Sequence, residues 1–317
     1  MKKGLMHKLL YGNDKKQDYT IQQLPSTRAK QFFHIYKTAF GKLTSINMLT
    51  ALFALPLIVW DLIASVYVGD FLKGMDIPTQ FSYLLNMTLL QYGTEIPLIM
   101  LASVGFAGAF YVIRKISWKA PVRLLKDFGK GIKDNYKQFL GLGFLVGIFN
   151  MLANYFIDFS IYTFGEQQFS AIFGLVSVLL LVVVLLAILM FSTCQGVLYN
   201  LTFTNLLSNS FTLTFKRLFP SVGVALLSWL PIIIFQALPW VFVQIIGGCV
   251  TFVFSISFAI TMQTVYTHGV FDKYINQSQY PDFVGMGLCT GKSYFQAICD
   301  TTEVDSQDQT QEGTNEN

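Results

Sequence analysis

Six apolar stretches of about 20 residues constrain the fold of this chain more than any other feature, because that is the length of helix needed to cross a bilayer. The fourth stretch contains the run 179–186 (LLLVVVLL), carries no charge, and is far too long for a buried strand. Only 13% of the residues are charged, compared with roughly 25% in an ordinary soluble domain. The sequence therefore predicts an all-α, multi-pass membrane protein.

The predicted spans cover residues 43–68, 96–113, 139–162, 169–191, 222–238 and 241–266. The weakest boundary is the turn at 238–240, where a re-entrant hairpin is the competing interpretation. Residues 78–92 are moderately apolar, and at that length we expect an outer interfacial helix rather than a seventh span.

Basic residues are distributed asymmetrically about these spans. Of the 22 Lys and Arg residues, 21 fall in segments on one side of the predicted membrane, and only Lys73 falls on the other. By the positive-inside rule both termini are cytoplasmic, which predicts a location in the cell membrane. The first 30 residues lack the apolar core of a signal peptide, so we expect the first span to act as an uncleaved anchor.

Charge and composition divide the chain into four parts. We expect a cytoplasmic N-terminal segment (1–31), a membrane domain (32–276), a cytoplasmic aromatic-rich segment (277–300) and a disordered acidic tail (301–317). The net charge of +4 is the sum of a basic N-terminal part and an acidic C-terminal tail. It therefore does not indicate nucleic-acid binding, and no nucleic-acid partner is expected.

A repeated pattern precedes the first, third and fifth spans. Large apolar residues recur at intervals of four, and basic residues follow them; the three sets are Phe32, Tyr36 and Phe40; Phe128, Ile132 and Tyr136; and Leu207, Phe211 and Phe215. We interpret each set as a cytoplasmic amphipathic helix that leads into a hairpin of two spans. The alternative is that any loop between spans needs an interfacial helix.

The second of these helices (122–139) is the most basic. We expect it to lie flat on the anionic inner leaflet, with Lys126, Lys130, Lys133 and Lys137 in contact with lipid head groups.

Short motifs in the same regions resemble the YesL-like family of bacterial membrane proteins. They are residues 32–37 (FFHIYK), 47–49 (NML), 55–56 (LP) and 125–135 (LKDFGKGIKDN), and the resemblance covers about residues 32–276. That family has no established activity and is often encoded beside carbohydrate uptake systems. The resemblance therefore implies a carbohydrate transport system as a partner and supplies no catalytic residues. The N-terminal and C-terminal extensions exceed the length typical of the family.

Polar residues inside predicted spans are candidates for function, because ionisable groups are costly in hydrocarbon. Asp61 lies in the outer part of the first span. At a similar depth we expect an outer polar vestibule that also contains Glu95, Asn154, Asp158, Gln236 and Gln244. The alternative is that these residues reach the head groups and join helix ends. Nearer the cytoplasm, Asn47, Asn150, Cys194 and Gln263 are expected to form hydrogen bonds between helices.

No residue pattern in the sequence indicates catalysis, a metal or a cofactor. Residues 291–293 (GKS) resemble the end of a phosphate-binding loop, but Met286 occupies the position of its first glycine. Two functions remain: first, a non-catalytic accessory or scaffold protein linked to carbohydrate uptake; second, a transporter or channel for a small solute. A cavity that extends beyond Asp61 would favour transport, and a dry, filled bundle would favour the accessory role.

Overall fold

The fold is described from a computed structural model over residues 24–71, 77–164, 168–237 and 241–289, and every regular element in these ranges is helical. The long helices are α1 (Arg28–Phe71), α2 (Ile77–Ser117), α3 (Leu124–Phe164) and α4 (Gln168–Leu198). They are followed by α5 (Phe203–Lys216), α6 (Leu218–Ala237), α7 (Val241–Val250) and α8 (Ile256–Phe271). A π-helical turn, Thr251–Ser255, joins α7 and α8, and short turns follow α8, including a second π-helical turn (Asp272–Asn276) and α9 (Gln277–Gln279).

Six helices in the described part of the chain are long and apolar enough to cross a membrane: α1, α2, α3, α4, α6 and the continuous helix through α7 and α8. Their outer surfaces are apolar as well; for example, Leu179, Leu180 and Leu181 are each at least 60% exposed. Apolar surface of this extent is unfavourable in water but suits contact with lipid tails. The prediction of an all-α chain with six apolar helices is confirmed, and the fold is compatible with a multi-pass membrane protein.

The region before the second predicted span differs from the prediction. Residues 78–92 do not form a separate interfacial helix, because α2 runs without a break from Ile77 to Ser117. Gly93 and Pro97 both lie inside this helix, and neither ends it. The predicted span at 96–113 is therefore the inner part of a much longer helix.

The predicted cytoplasmic helices differ from one another in the structure. Only α5 is a separate helix, which begins at an N-cap on Thr202 and ends at the non-helical backbone of Arg217. The first segment belongs to α1, which bends at Ala39, where φ is −127° and ψ is 15°.

The segment at 122–139 is not a separate helix. From Leu124 it is continuous with the third predicted span in α3, with no proline or non-helical residue between the two parts.

Neighbouring helices pack in chain order around the bundle. Each of the six apolar helices contacts the next, and the α7–α8 helix contacts α1, so the bundle closes on itself. The turn at 238–240 lies outside the described residues. On either side of it, Phe235 packs on Gly247 and Gln263 donates to Ser228 at 2.9 Å, so α6 and the α7–α8 helix run antiparallel along their length.

The most extensive packing joins α2 and α3. A Cβ atom added at Gly143 would lie 2.6 Å from Ser103 Oγ, and one added at Gly131 would lie 2.5 Å from Tyr111 Cβ. Both glycines therefore let the backbones approach closely. Because these contacts include Gly131, the two helices remain packed together well beyond the apolar part of α3.

The end of the bundle that contains the start of α1 is a well-packed core covered by residues 280–289. Arg28 pairs with Asp272 and donates to Met286 O at 3.0 Å, and Gln31 Nε2 donates to Ser117 O at 2.8 Å. Gly287 has a φ of +79°, and an added Cβ atom would lie 2.1 Å from Ser117 O, so only glycine fits there.

Tyr199 completes this covering layer. Burial, with a contribution from Asp272, raises the pKa of Tyr199, so its hydroxyl stays protonated and donates to Asn276 Oδ1 at 2.5 Å. Residues 280–289 themselves are held by polar contacts with Arg28 and Gln31 at the start of α1, and the ring of Tyr280 packs on Tyr199.

Candidate functional site

A cavity of about 470 Å³ lies at the centre of the bundle. This volume is within the range of small-molecule sites, roughly 300–1,000 Å³. All six apolar helices contribute to its walls, through Leu57, Ile99, Leu142, Leu189, Trp229 and Gln263 in chain order. On α2 its lining extends from Glu95 to Phe110, about 22 Å along the helix axis at 1.5 Å per residue.

A pair of carboxyl groups marks one end of the cavity. Asp61 of α1 and Glu95 of α2 both line it, and their side chains lie close to each other. Glu95 is only 3% exposed, whereas Asp61 is exposed. Asn150 Nδ2 of α3 donates to Glu95 Oε2 at 3.0 Å. Glu95 Oε1, also buried, accepts no hydrogen bond from any described N–H or O–H group.

The packing of three helices brings these side chains together. Trp60 Nε1, next to Asp61, donates to Gln91 O at 3.3 Å and fixes α1 against the turn of α2 that precedes Glu95. Gly147 packs directly on Ile96, where an added Cβ atom would lie 3.0 Å from the Ile96 Cα atom. This close approach of α3 places Asn150 within reach of Glu95.

The other residues of the predicted vestibule occupy different places. Asn154 Nδ2 donates to Asn150 O at 2.9 Å and so extends the polar cluster along α3. Asp158 accepts from Thr88 Oγ1 at 2.6 Å, about two helical turns further from the cavity. The side chains of Gln236 and Gln244 lie outside the described residues.

Tyr92 is a further neighbour of this cluster. It interacts electrostatically with Asp61, Glu95 and Asp158, so the three predicted acids share one aromatic neighbour on α2. The vestibule prediction did not include it.

Polar groups also line the cavity at a second level, nearer the end of the bundle that residues 280–289 cover. The Ser103 hydroxyl lies 2.8 Å from Phe139 O, Thr193 donates to Leu189 O at 2.9 Å, and Gln263 donates to Ser228. Beyond them, the buried rings of Phe110 and Phe139 lie 6.1 Å apart between their centroids. These rings close the cavity at that end.

Asn150 forms a hydrogen bond between helices, as predicted, but it is not isolated, because its partner is Glu95 of the carboxyl pair. Its position one turn before Asn154 on the same helical face was the available signal. Asn47 and Gln263 do form hydrogen bonds between helices, to Ser257 N and Ser228.

Lys126, Lys130, Lys133 and Lys137 are all exposed on the first turns of α3. The ammonium group of Lys137 lies 6.0 Å from the ring centroid of Tyr136. On the same part of the helix, Phe128 is buried against Gly108 of α2. The basic side of α3 is therefore opposite the side that packs on the bundle.

The architecture and the cavity together define a helical bundle of membrane-protein type with a cavity between its six apolar helices. Comparison of the chain with protein-family models, curated proteins and solved structures found no match. The function is therefore argued from the site itself.

Proposed function

We propose that this chain is a multi-pass protein of the cell membrane that binds a small solute in the central cavity and transports it. The observation that supports this proposal is the cavity of about 470 Å³, which has polar groups at two levels and walls from all six apolar helices. A bundle that served only as a scaffold would gain stability by filling this space, because loss of packing is costly. Transport, the second function considered from the sequence, is therefore favoured over the accessory role.

The closed inner end supports a transporter rather than an open channel. Phe110, Phe139 and Met190 line the cavity and are almost fully buried in the core beneath it. A solute bound beside Ser103 or Thr193 would need these side chains to move before it reached the cytoplasm. Binding sites near the middle of a helical bundle, with access that alternates between the two sides, are common in transporters.

The proposal includes an orientation in the membrane. Both termini are cytoplasmic, the six spans form three hairpins, and amphipathic cytoplasmic segments precede the first, third and fifth spans. The exposed face with Lys126, Lys130, Lys133 and Lys137 contacts anionic head groups of the inner leaflet, where each cation contributes about 1 kcal/mol. The carboxyl pair then lies toward the outer side. An association with a carbohydrate transport system is implied only by the family resemblance.

Thiol labelling tests whether the cavity holds water. In a background without the four native cysteines, Thr193→Cys should react with a small, neutral, water-soluble methanethiosulfonate in nanodiscs. Leu180→Cys is the control, because Leu180 is 62% exposed on the apolar outer surface. A thiol in hydrocarbon cannot ionise, whereas a thiol in a water-filled cavity can. Thr193→Cys should therefore react at least about tenfold faster than Leu180→Cys. Equal, slow labelling at both positions would indicate a dry bundle and return the accessory role to first place.

Transport itself is tested by uptake into proteoliposomes. We would supply a sugar, an amino acid, a carboxylate and an organic cation, each radiolabelled, to wild-type protein and to Ala102→Phe. Ala102 lines the cavity and is 6% exposed, so the larger ring would fill it. We expect the wild type to take up at least one of these solutes. Ala102→Phe should still fold but should lose that uptake. Absence of uptake for all four solutes would contradict the proposal.

A further inference from the structure

We infer that the solute is an organic cation with an apolar body, bound at Asp61 and Glu95 in exchange for a proton that these two carboxyl groups share. This inference rests on the proposed transport function and specifies its substrate class.

The first argument is the lack of a protein counter-ion. No Lys, Arg or His is among the described residues that line the cavity. Between Lys42 and Arg114 the sequence contains only Lys73 as a basic residue, and it contains none between Lys137 and Lys216. Two carboxylates in contact repel each other strongly unless a proton or another cation lies between them. The charge that balances this pair must therefore come from outside the chain.

The second argument is the unsatisfied oxygen of Glu95. Its Oε2 atom accepts from Asn150 at 3.0 Å, but its buried Oε1 atom accepts from no described donor. A buried carboxylate oxygen without a partner is costly, so its environment favours a proton shared with Asp61 or a bound cation. Because Glu95 lines the cavity, a ligand there can supply that partner.

The third argument concerns the chemical type of the cation. Beyond the carboxyl pair the walls are apolar and aromatic, with Phe106 and Trp229 in a T-shaped arrangement at a centroid distance of 6.4 Å. Aromatic faces attract organic cations through their quadrupoles. An inorganic cation would need several more oxygen ligands, and Asn150 presents its NH₂ group to Glu95 instead. A cation with a large apolar body suits both parts of the cavity.

The exchange is balanced in charge. With one shared proton the pair carries a charge of −1; when the cation binds, the O–H bond of the protonated carboxyl breaks and the proton leaves to water. The complex of two carboxylates and one cation again carries −1. The nearest other titratable group is Tyr92 of α2, and Asp158 of α3 lies about two helical turns further along, where it accepts from Thr88. Among described residues, α4, α6 and α8 contribute no titratable side chain to the cavity lining.

The experiment uses the full chain in zwitterionic nanodiscs, with radiolabelled tetraphenylphosphonium as the probe. Triphenylphosphine oxide is a neutral molecule with a similar aromatic body, so it should not compete. Glu95→Gln and Asp61→Asn should each reduce the affinity for tetraphenylphosphonium about tenfold or more, because each removes one of the two charges. Asp134→Asn is the matched control, since Asp134 is an exposed acid on the basic part of α3. The affinity of this variant for tetraphenylphosphonium should equal that of the wild type.

Two further measurements distinguish exchange of the cation for a proton from electrostatic attraction without proton release. Affinity should rise with pH, by up to about tenfold per unit where one proton is displaced. Binding in weak buffer should release a proton from the wild type and none from Glu95→Gln. Competition by triphenylphosphine oxide, or wild-type affinity in both acid variants, would overturn the inference. If Thr193→Cys is labelled and another solute is transported but the phosphonium does not bind, the inference fails while the transport proposal stands.

Discussion

Glu95 is the residue on which the polar end of the cavity depends most. It is buried, and the described hydrogen bond to its carboxyl group comes from one side chain on another helix, Asn150. A single hydrogen bond contributes little net free energy to folding. Removing the donor from a buried carboxylate costs more than that, because the carboxylate oxygen stays buried with neither water nor a protein partner. The Asn150 amide therefore matters both for stability and for the position of the carboxyl pair.

Asn150→Ala should lower the free energy of unfolding by about 1–2 kcal/mol, since it leaves Glu95 Oε2 without a donor. Asn135→Ala is the control on the same helix. Asn135 Nδ2 donates to its own backbone at Gly131 O, 2.8 Å away, so its loss leaves no buried charge unpaired. Thermal unfolding in a mild detergent measures both variants. Equal stability of the two would show that Glu95 does not depend on Asn150.

Part of this site could be predicted from single residues, and part could not. Asp61 and Glu95 are conspicuous because acids are rare in apolar segments. Their contact could not be predicted, because it depends on how α1 packs against α2 through Trp60 and Gln91. The pairing of Asn150 with Glu95 could not be predicted for the same reason, since position in the sequence gives an order along one helix but no register between helices.

At the scale of elements, α2 and α3 form the rigid part of the molecule. Glycines on both helices allow backbone contact along the pair, with Gly108 under Phe128 at one end and Gly147 against Ile96 further along. Between them, Gly143 packs on Ser103 and Met100, at the edge of the cavity. The spacing of these two helices therefore sets the width of the cavity on this side.

Gly143→Ala tests the importance of that spacing. The new methyl group would lie 2.9 Å from the Met100 Cα atom, which cannot rotate away, so the helices must separate. We expect a loss of about 1–3 kcal/mol of stability, as for other overpacked positions. Gly129→Ala on the same helix is the control. A Cβ atom added at Gly129 has no neighbouring atom within 4 Å, so this substitution should be neutral or slightly stabilising. Chemical unfolding of both variants gives the comparison, and similar destabilisation of both would point to helix propensity instead.

Element lengths were harder to predict than element types. Apolar length identifies a helix that can cross a bilayer, but it does not show where the helix ends when polar residues continue the same backbone. Residues 77–95 therefore belong to α2, and residues 124–138 to α3. The separate α5 differs because its ends carry local signals, the Thr202 cap and the break at Arg217.

At the scale of the whole molecule, the long helices exceed the thickness of the membrane. From Lys115 to Asn86, α2 extends about 44 Å, whereas the hydrocarbon core is about 30 Å thick. If the basic end of α2 is at the inner surface, Asn86 must reach the outer surface.

Cysteine labelling in intact cells tests this orientation. Asn86→Cys should react with an impermeant maleimide added outside, because Asn86 is exposed near the outer end of α2. Lys130→Cys, exposed on the basic part of α3, should react only after the cells are made permeable. Labelling of Lys130→Cys in intact cells would reverse the orientation derived from the distribution of basic residues.

One backbone hydrogen bond joins the two ends of the described chain. Cys289 N donates to Pro25 O at 3.1 Å, so these two residues lie on the same face of any membrane that the chain crosses. A chain that leaves one face of a membrane and returns to it must cross the membrane an even number of times. If each of the six apolar helices crosses once, a seventh crossing between Pro25 and Cys289 is therefore excluded.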